Sequence, residues 1–136
     1  EKDPKLHWLA GSENSYRDVY ITLPQDVKAC RLIVGLARSK PGNWTSWPPH
    51  EHGDIQEELY SFFGIEEPGY GVQLVYTDEG DIRTAMIVKN DDVVIIPRGY
   101  HPNVAIPGHT ISFAWVLCAR RPVEDRVFGK VRIEKL

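Results

Sequence analysis

Proline sets the tightest limit on what this chain can fold into. Pro24, Pro41, Pro48, Pro49, Pro68, Pro97, Pro102, Pro107 and Pro122 punctuate the sequence. A proline inside a helix removes a backbone hydrogen bond and clashes with the preceding turn, so few windows remain for helices. The segments in between are short and rich in Val, Ile, Tyr, Phe and Trp, which suit a pleated, half-buried surface. They predict strands at 18–23, 30–38, 57–63, 70–77, 82–88, 92–96, 103–106, 110–118 and 125–128. One short helical turn is expected around 54–58, and the weakly alternating stretch 127–136 offers a closing strand. Alternation is clearest from Thr110 to Cys118. Ile111, Phe113, Trp115 and Leu117 share one face, and the smaller Ser112, Ala114, Val116 and Cys118 share the other. Large residues facing one way and small ones the other suit a strand between a packed layer and a cavity. Turn signals such as Asp78-Glu79-Gly80 and Asn90-Asp91-Asp92 recur at short spacing. The pattern is that of an all-β sandwich or barrel.

Length and charge narrow the class. At 136 residues the chain suits one domain, and a net charge of −3 supplies no basic stripe for nucleic acid. The best apolar run, Ile111 to Ala119, is far shorter than the ~20 residues a spanning helix needs, so no membrane partner is expected. The first 15 residues are polar and unpatterned and read as an arm or linker, leaving 16–136 as the domain. The sequence opens Glu1-Lys2-Asp3-Pro4 without a starting Met or a leader pattern, as expected of a processed or cut piece. Cys30 and Cys118 lie inside predicted strands and read as core thiols, consistent with a cytoplasmic protein.

Two segments carry the chemistry. In Trp47-Pro48-Pro49-His50-Glu51-His52 an extended backbone turns His50 and His52 to the same side. Glu57 or Glu58, a few residues on, can add a carboxylate from the neighbouring strand. Pro97-Arg98-Gly99-Tyr100-His101-Pro102 offers a further imidazole on a rigid corner at the end of an apolar strand. Three histidines and one carboxylate suit a divalent first-row metal and leave positions open for a substrate. Trp44 and Trp47 bracket the turn before the histidines, where a sugar-stacking platform and simple packing are both open readings.

These motifs resemble the cupin superfamily, whose chains run His-x-His to Glu and then to a later His after a Pro-x-Gly turn. More narrowly, the segments 42–52, Glu58-Leu59-Tyr60, 73–78 and 97–102 are similar to those of the 5-deoxyglucuronate isomerase family of inositol catabolism. That family is similar in turn to the 4-deoxy-5-hexosulose-uronate ketol-isomerases. The resemblance implies a cupin fold, a double-stranded β-helix or jelly-roll barrel, with His50, His52 and His101 as ligands. Register with the related ketol-isomerases selects Glu58 as the fourth ligand, and strand alternation sends Glu57 the other way. It implies one divalent ion, zinc foremost, with manganese, iron or nickel as alternatives. The implied reaction is aldose–ketose isomerisation of a deoxy-uronate. Tyr60 and Gln73 are expected to face the substrate, and Arg98 to pair with its carboxylate. Glu57, Tyr76 and Tyr100 are open candidates for the base, so no catalytic residue is assigned. Two other classes share the ligand set: a metal-dependent cupin dioxygenase and a non-catalytic sugar-acid-binding cupin. The sequence departs from the family at Asp91-Asp92, where a Gly-Asp is usual, and in a shorter segment between His52 and Glu58. It also resembles only the second, metal-bearing half of two-cupin chains, so a companion cupin half or a homodimer is the expected partner.

Overall fold

A computed structural model describes residues 3–136. Its strands are β1 (His7–Ala10), β2 (Arg17–Leu23), β3 (Leu32–Ser39), β4 (Trp44–Thr45), β5 (His50–Glu51) and β6 (Gln56–Phe63). They continue with β7 (Gly71–Tyr76), β8 (Arg83–Val88), β9 (Val93–Ile96), β10 (Asn103–Ala105), β11 (Ser112–Ala119) and β12 (Arg132–Ile133). All pairings are antiparallel. The larger sheet runs β1-β2-β3-β11-β6-β9, the smaller β4-β10-β7-β8, and β12 pairs with β5 alone. Ile33, Phe62, Ile96 and Phe113 from the larger sheet share one core with Val75, Val88 and Ala105 from the smaller. This is the all-β architecture expected from the proline spacing, in the jelly-roll form that the cupin resemblance implies. Among the described residues no helix is long and apolar enough to cross a membrane.

The register of β11 builds the interior wall. Trp115 lies opposite Gly35 of β3 and Tyr60 of β6, and Leu117 lies opposite Glu58. Alternation therefore brings Phe113, Trp115, Leu117, Glu58 and Tyr60 to one face and leaves Glu57 exposed on the other. Gly35 is required by a close approach, because a Cβ there would collide with the Trp115 indole and the Tyr20 carbonyl. Asp91 turns the chain from β8 to β9 with a φ of 67°, so it adopts the left-handed backbone that a glycine enters freely.

Several expectations fail at the ends of the chain. His7–Ala10, inside the stretch expected to be an arm, pairs with β2 as an edge strand. Residues 125–128 form no strand, because side chains rather than a ladder take up their backbone. Gln56 Nε2 donates to the carbonyls of Asp125 (2.7 Å) and Val127 (2.8 Å). Strand β6 already begins at Gln56, which leaves no helical turn over 54–58. The closing strand of 127–136 is only Arg132–Ile133, and it pairs with the strand that carries His50. Cys30 is exposed rather than a core thiol, and both cysteines are free.

Candidate metal centre and cavity

Three chain segments meet at one end of an interior cavity. Strand β5 and its extension supply His50 and His52, β6 supplies Glu58, and the corner after β9 supplies His101. That corner needs its glycine: Gly99 has a φ of 95°, and a Cβ there would sit 2.5 Å from the Tyr76 carbonyl oxygen. The ligand atoms of His50, His52 and His101 lie within 4.8 Å of one another. Glu58 Oε2 is 3.1 Å from His52 Nε2 and 2.8 Å from His101 Nε2.

Hydrogen bonds on the far side of the rings fix their tautomers. His50 Nδ1 donates to the Pro48 carbonyl at 3.0 Å, and His101 Nδ1 donates to the Gly99 carbonyl at 2.8 Å. Each ring is thereby left with Nε2 as its lone-pair atom, the arrangement usual in metal-binding histidines. His101 Nε2 lies close to Glu58 yet off the line of a hydrogen bond, and it and His52 Nδ1 are buried without hydrogen-bond partners. Buried polar atoms are rarely left so. Two orphaned imidazole nitrogens beside a buried carboxylate, with the His50 and His101 tautomers set by carbonyls, fit a divalent first-row cation.

The electrostatics agree with that donor set. Burial would raise the Glu58 pKa, but the close imidazoles of His101 and His52 outweigh it and hold the carboxyl at about 2. Burial works against charge on His101, but the Glu58 carboxylate overcomes this and raises its pKa. His50 is pushed down to about 4, first by burial and then by the charge of His101. At neutral pH the cluster therefore offers an ionised carboxylate and at least one neutral imidazole.

Tyr60 stands beside the cluster. Its hydroxyl lies 3.4 Å from Glu58 Oε2 and 2.6 Å from Ser46 Oγ. Burial, reinforced by the Glu58 charge, raises its pKa well above the ordinary phenol value. Tyr60 thus keeps its proton, donates to Glu58 and accepts from Ser46. Ser46 itself has a φ of 50°, an uncommon backbone state for a non-glycine residue.

The cavity measures about 260 Å³ and runs from this cluster to an apolar far end. Trp8 of β1, Val19 of β2, Trp115 of β11 and Phe128, Val131 and Ile133 of the C-terminal segment line it, together with Trp47 and Arg17. Of the three expected substrate contacts, Tyr60 lines the cavity and the other two lie elsewhere. Gln73 is fully buried in the small sheet, where it donates to the His101 carbonyl at 2.8 Å and accepts from Asn103 at 2.9 Å. It braces the backbone of His101. Arg98 points outward and pairs with Asp81, with about half of its side chain exposed. Among the base candidates, Glu57 is exposed and Tyr76 is tied to Glu134 at 2.5 Å. Tyr100 lies beneath the Arg132 guanidinium, 5.4 Å from it. Arg17, Trp8 and the C-terminal lining residues are absent from the sequence-based expectations. Alternation of Arg17, Val19 and Ile21 along one strand face was the available signal.

Comparison with known proteins bears on this site. The sequence matches the KduI/IolB family over residues 7–130. A 5-deoxy-glucuronate isomerase of Geobacillus kaustophilus (strain HTA426) is 41% identical over an alignment of 108 residues that covers 74% of this chain and 39% of the relative. The chain thus spans about two-fifths of the length of the curated relatives it matches. An IolB-like protein from Salmonella typhimurium LT2 superposes with a TM-score of 0.83 at 29% identity, over 94% of this chain and 49% of that one. A cupin-like protein from Thermotoga maritima is similar at a TM-score of 0.64 and 19% identity, covering 91% and 82% of the two chains, a likeness of fold.

Proposed function

The chain belongs to the KduI/IolB family, and on that premise we propose that it is a metal-dependent aldose–ketose isomerase of a deoxy-uronate such as 5-deoxyglucuronate. One observation carries the reading: three histidine ligand atoms within 4.8 Å of one another, with the Glu58 carboxylate beside them, next to a cavity that His50, His52 and Glu58 line. His50, His52, Glu58 and His101 would hold one divalent ion, with zinc as the first choice. Such an ion, when bound, polarises a substrate carbonyl and neighbouring hydroxyl and so stabilises charge on their oxygens.

The chain's own groups would do the rest. Aldose–ketose interconversion moves a proton between adjacent carbons, so the site must orient the reacting end and control protons there. Tyr60 is held neutral and bridges Ser46 and Glu58, so it can present a proton at its hydroxyl beside the reacting carbons. Trp47, Phe113, Trp115 and Leu117 wall the cavity with apolar surface. Because the relatives are much longer than the matched segment, a companion cupin half or a second copy of this chain is the partner proposed.

Elemental analysis joined to an anaerobic assay on 5-deoxyglucuronate tests the proposal. The expected result is about one divalent ion per chain and turnover without oxygen. Chelation should abolish that turnover, and the metal alone should restore it. Oxygen consumption with an organic substrate would move the chain to the dioxygenases. Tight binding of the sugar acid without turnover would make it a binding module.

A further inference from the structure

The cavity wall contains one lysine or arginine among the described residues, Arg17. Its position is built. Nη1 donates to the Ser15 carbonyl at 3.0 Å and Nη2 to the Trp47 carbonyl at 2.7 Å. These bonds use two of the five donors of a guanidinium and neutralise none of its charge. Arg31 and Arg126 are likewise held by carbonyls alone, but neither lines the cavity, and three other arginines are neutralised by carboxylates. Arg98 holds Asp81, Arg121 holds Glu124 and Asp125, and Arg132 holds Glu51 and Asp78. Among the described residues Arg17 has no carboxylate partner, although burial draws it from water enough to lower its pKa. A half-buried cation without a counter-charge is unfavourable until an anion reaches it.

The surroundings say what kind of anion fits. Across the ladder Arg17 faces Ala10, the next inward residue on its strand is Val19, and Val19 faces Trp8. All three line the cavity. Arg17 therefore stands as a lone cation in an apolar wall. Trp47, whose carbonyl it holds, follows Ser46, which bonds the Tyr60 hydroxyl beside Glu58. One ligand can thus span from Arg17 to the histidine cluster. A 5-deoxyuronate has the matching order of groups: a carbonyl at C1, hydroxyls on C2 to C4, a methylene at C5 and a carboxylate at C6.

We propose that Arg17 determines specificity for the acid end of the substrate, binding its carboxylate while the carbonyl end lies at His50, His52, Glu58 and His101. The inference rests on the isomerase reading and adds to it the residue that recognises the acid. The methylene next to the carboxylate then lies against Trp8 and Val19, where a hydroxyl would be buried without a partner.

The test compares the metal-loaded wild type with Arg17→Met and Arg17→Lys. Each is measured on 5-deoxyglucuronate and on its C6 carboxamide, by steady-state kinetics and by calorimetric binding. For the acid, Arg17→Met should raise KM and Kd about 30-fold, the loss expected when a charge-assisted pair is removed. Arg17→Lys should fall between, because an ammonium cannot make the two-pronged contact. For the amide, wild type and variants should agree within about 3-fold, with metal content unchanged. Equal losses on acid and amide, or no loss on the acid, would overturn the proposal and leave Arg17 as a brace for Trp47. If Arg17→Met does not fold, the acid-to-amide ratio of Arg17→Lys decides: a fall supports the proposal and an unchanged ratio overturns it. Wild type that binds the acid without isomerising it would defeat the isomerase reading alone, since the binding ratios still decide the role of Arg17.

Discussion

At one end of the cavity four ionisable side chains converge from β5, β6 and the corner after β9. At the other end, rings and aliphatic groups come from β1, β2 and the segment that follows β11. The polar end is bound by close contacts: Glu58 meets two histidines, and carbonyls of Pro48 and Gly99 fix the tautomers of His50 and His101. The apolar end depends on packing such as the stacked Trp115 and Phe128 rings, 5.7 Å apart, and on edge strands that are short. Chemistry that needs atoms held within a fraction of an ångström therefore sits where a buried carboxylate and backbone carbonyls fix the side chains. Enclosure, which tolerates more movement, is left to the termini.

The comparison breaks most sharply at His101. Replacing it by alanine removes a donor nitrogen and leaves Glu58 buried without its nearest partner. Losing even an outer hydrogen-bonding partner of a ligand costs ~10–100-fold in metal affinity, so His101→Ala should cost more than about 100-fold. Activity should fall with it. Elemental analysis and equilibrium dialysis read the first effect, and the isomerase assay the second. A variant that kept both metal and turnover would remove His101 from the centre.

The contrast also explains what could be read without a structure. His50 and His52 were legible because strand parity decides which face a side chain takes, Glu58 because the family resemblance chose between two adjacent carboxylates, and His101 because its Pro-Arg-Gly corner ends an apolar strand. The eight strands from β2 and β3 through β6–β11 stood out for the same reason. Parity does not give depth, however. Gln73 does point inward, but Asn103 and the His101 backbone absorb its polar atoms before they reach the cavity. Nor does parity act in turns. Arg98 lies two residues past the end of β9, and its partner Asp81 comes from a different turn, 17 residues away. Arg17 lay one residue outside the predicted strand 18–23. β4, β5 and β12 have two residues each, too few to show a period.

A second substitution sharpens the comparison from the apolar end. Phe128→Ala removes the ring that stacks on Trp115 while leaving every ionisable group of the cluster in place. An aromatic pair of this kind contributes ~0.5–1.5 kcal/mol beyond its area, so stability should fall by about 1 kcal/mol. If the same ring packs on substrate, KM should rise about 5-fold with kcat nearly unchanged. Metal content should stay constant. A drop in metal content on Phe128→Ala would mean that the two ends are not separable.

The smallest effect concerns how β1 brings Trp8 to the cavity. Asp18 accepts from Lys40 at 2.7 Å and lies 3.2 Å from His7 Nε2, so one carboxylate ties β1 to the loop after β3. The hydrogen bond from Lys40 lowers the Asp18 pKa, against a smaller opposing effect of burial. A carboxyl whose pKa is depressed by folding stabilises the fold above its ordinary value, about 3.9, and loses that contribution as pH falls through the depressed one. Asp18→Asn should therefore cost ~0.5–1 kcal/mol near neutral pH, within the range of partly exposed ion pairs. The gap between wild type and variant should narrow once the pH falls below about 3.9 and close below the depressed pKa of Asp18. Thermal unfolding of the two proteins from pH 7 down through the acid range, to about pH 2, measures it. A gap that stayed constant over that range would mean that shape, and not the Asp18 charge, holds β1 in place. Because β1 carries no member of the histidine cluster, metal affinity should be the same in both proteins throughout the neutral range, and only the closure around Trp8 should loosen.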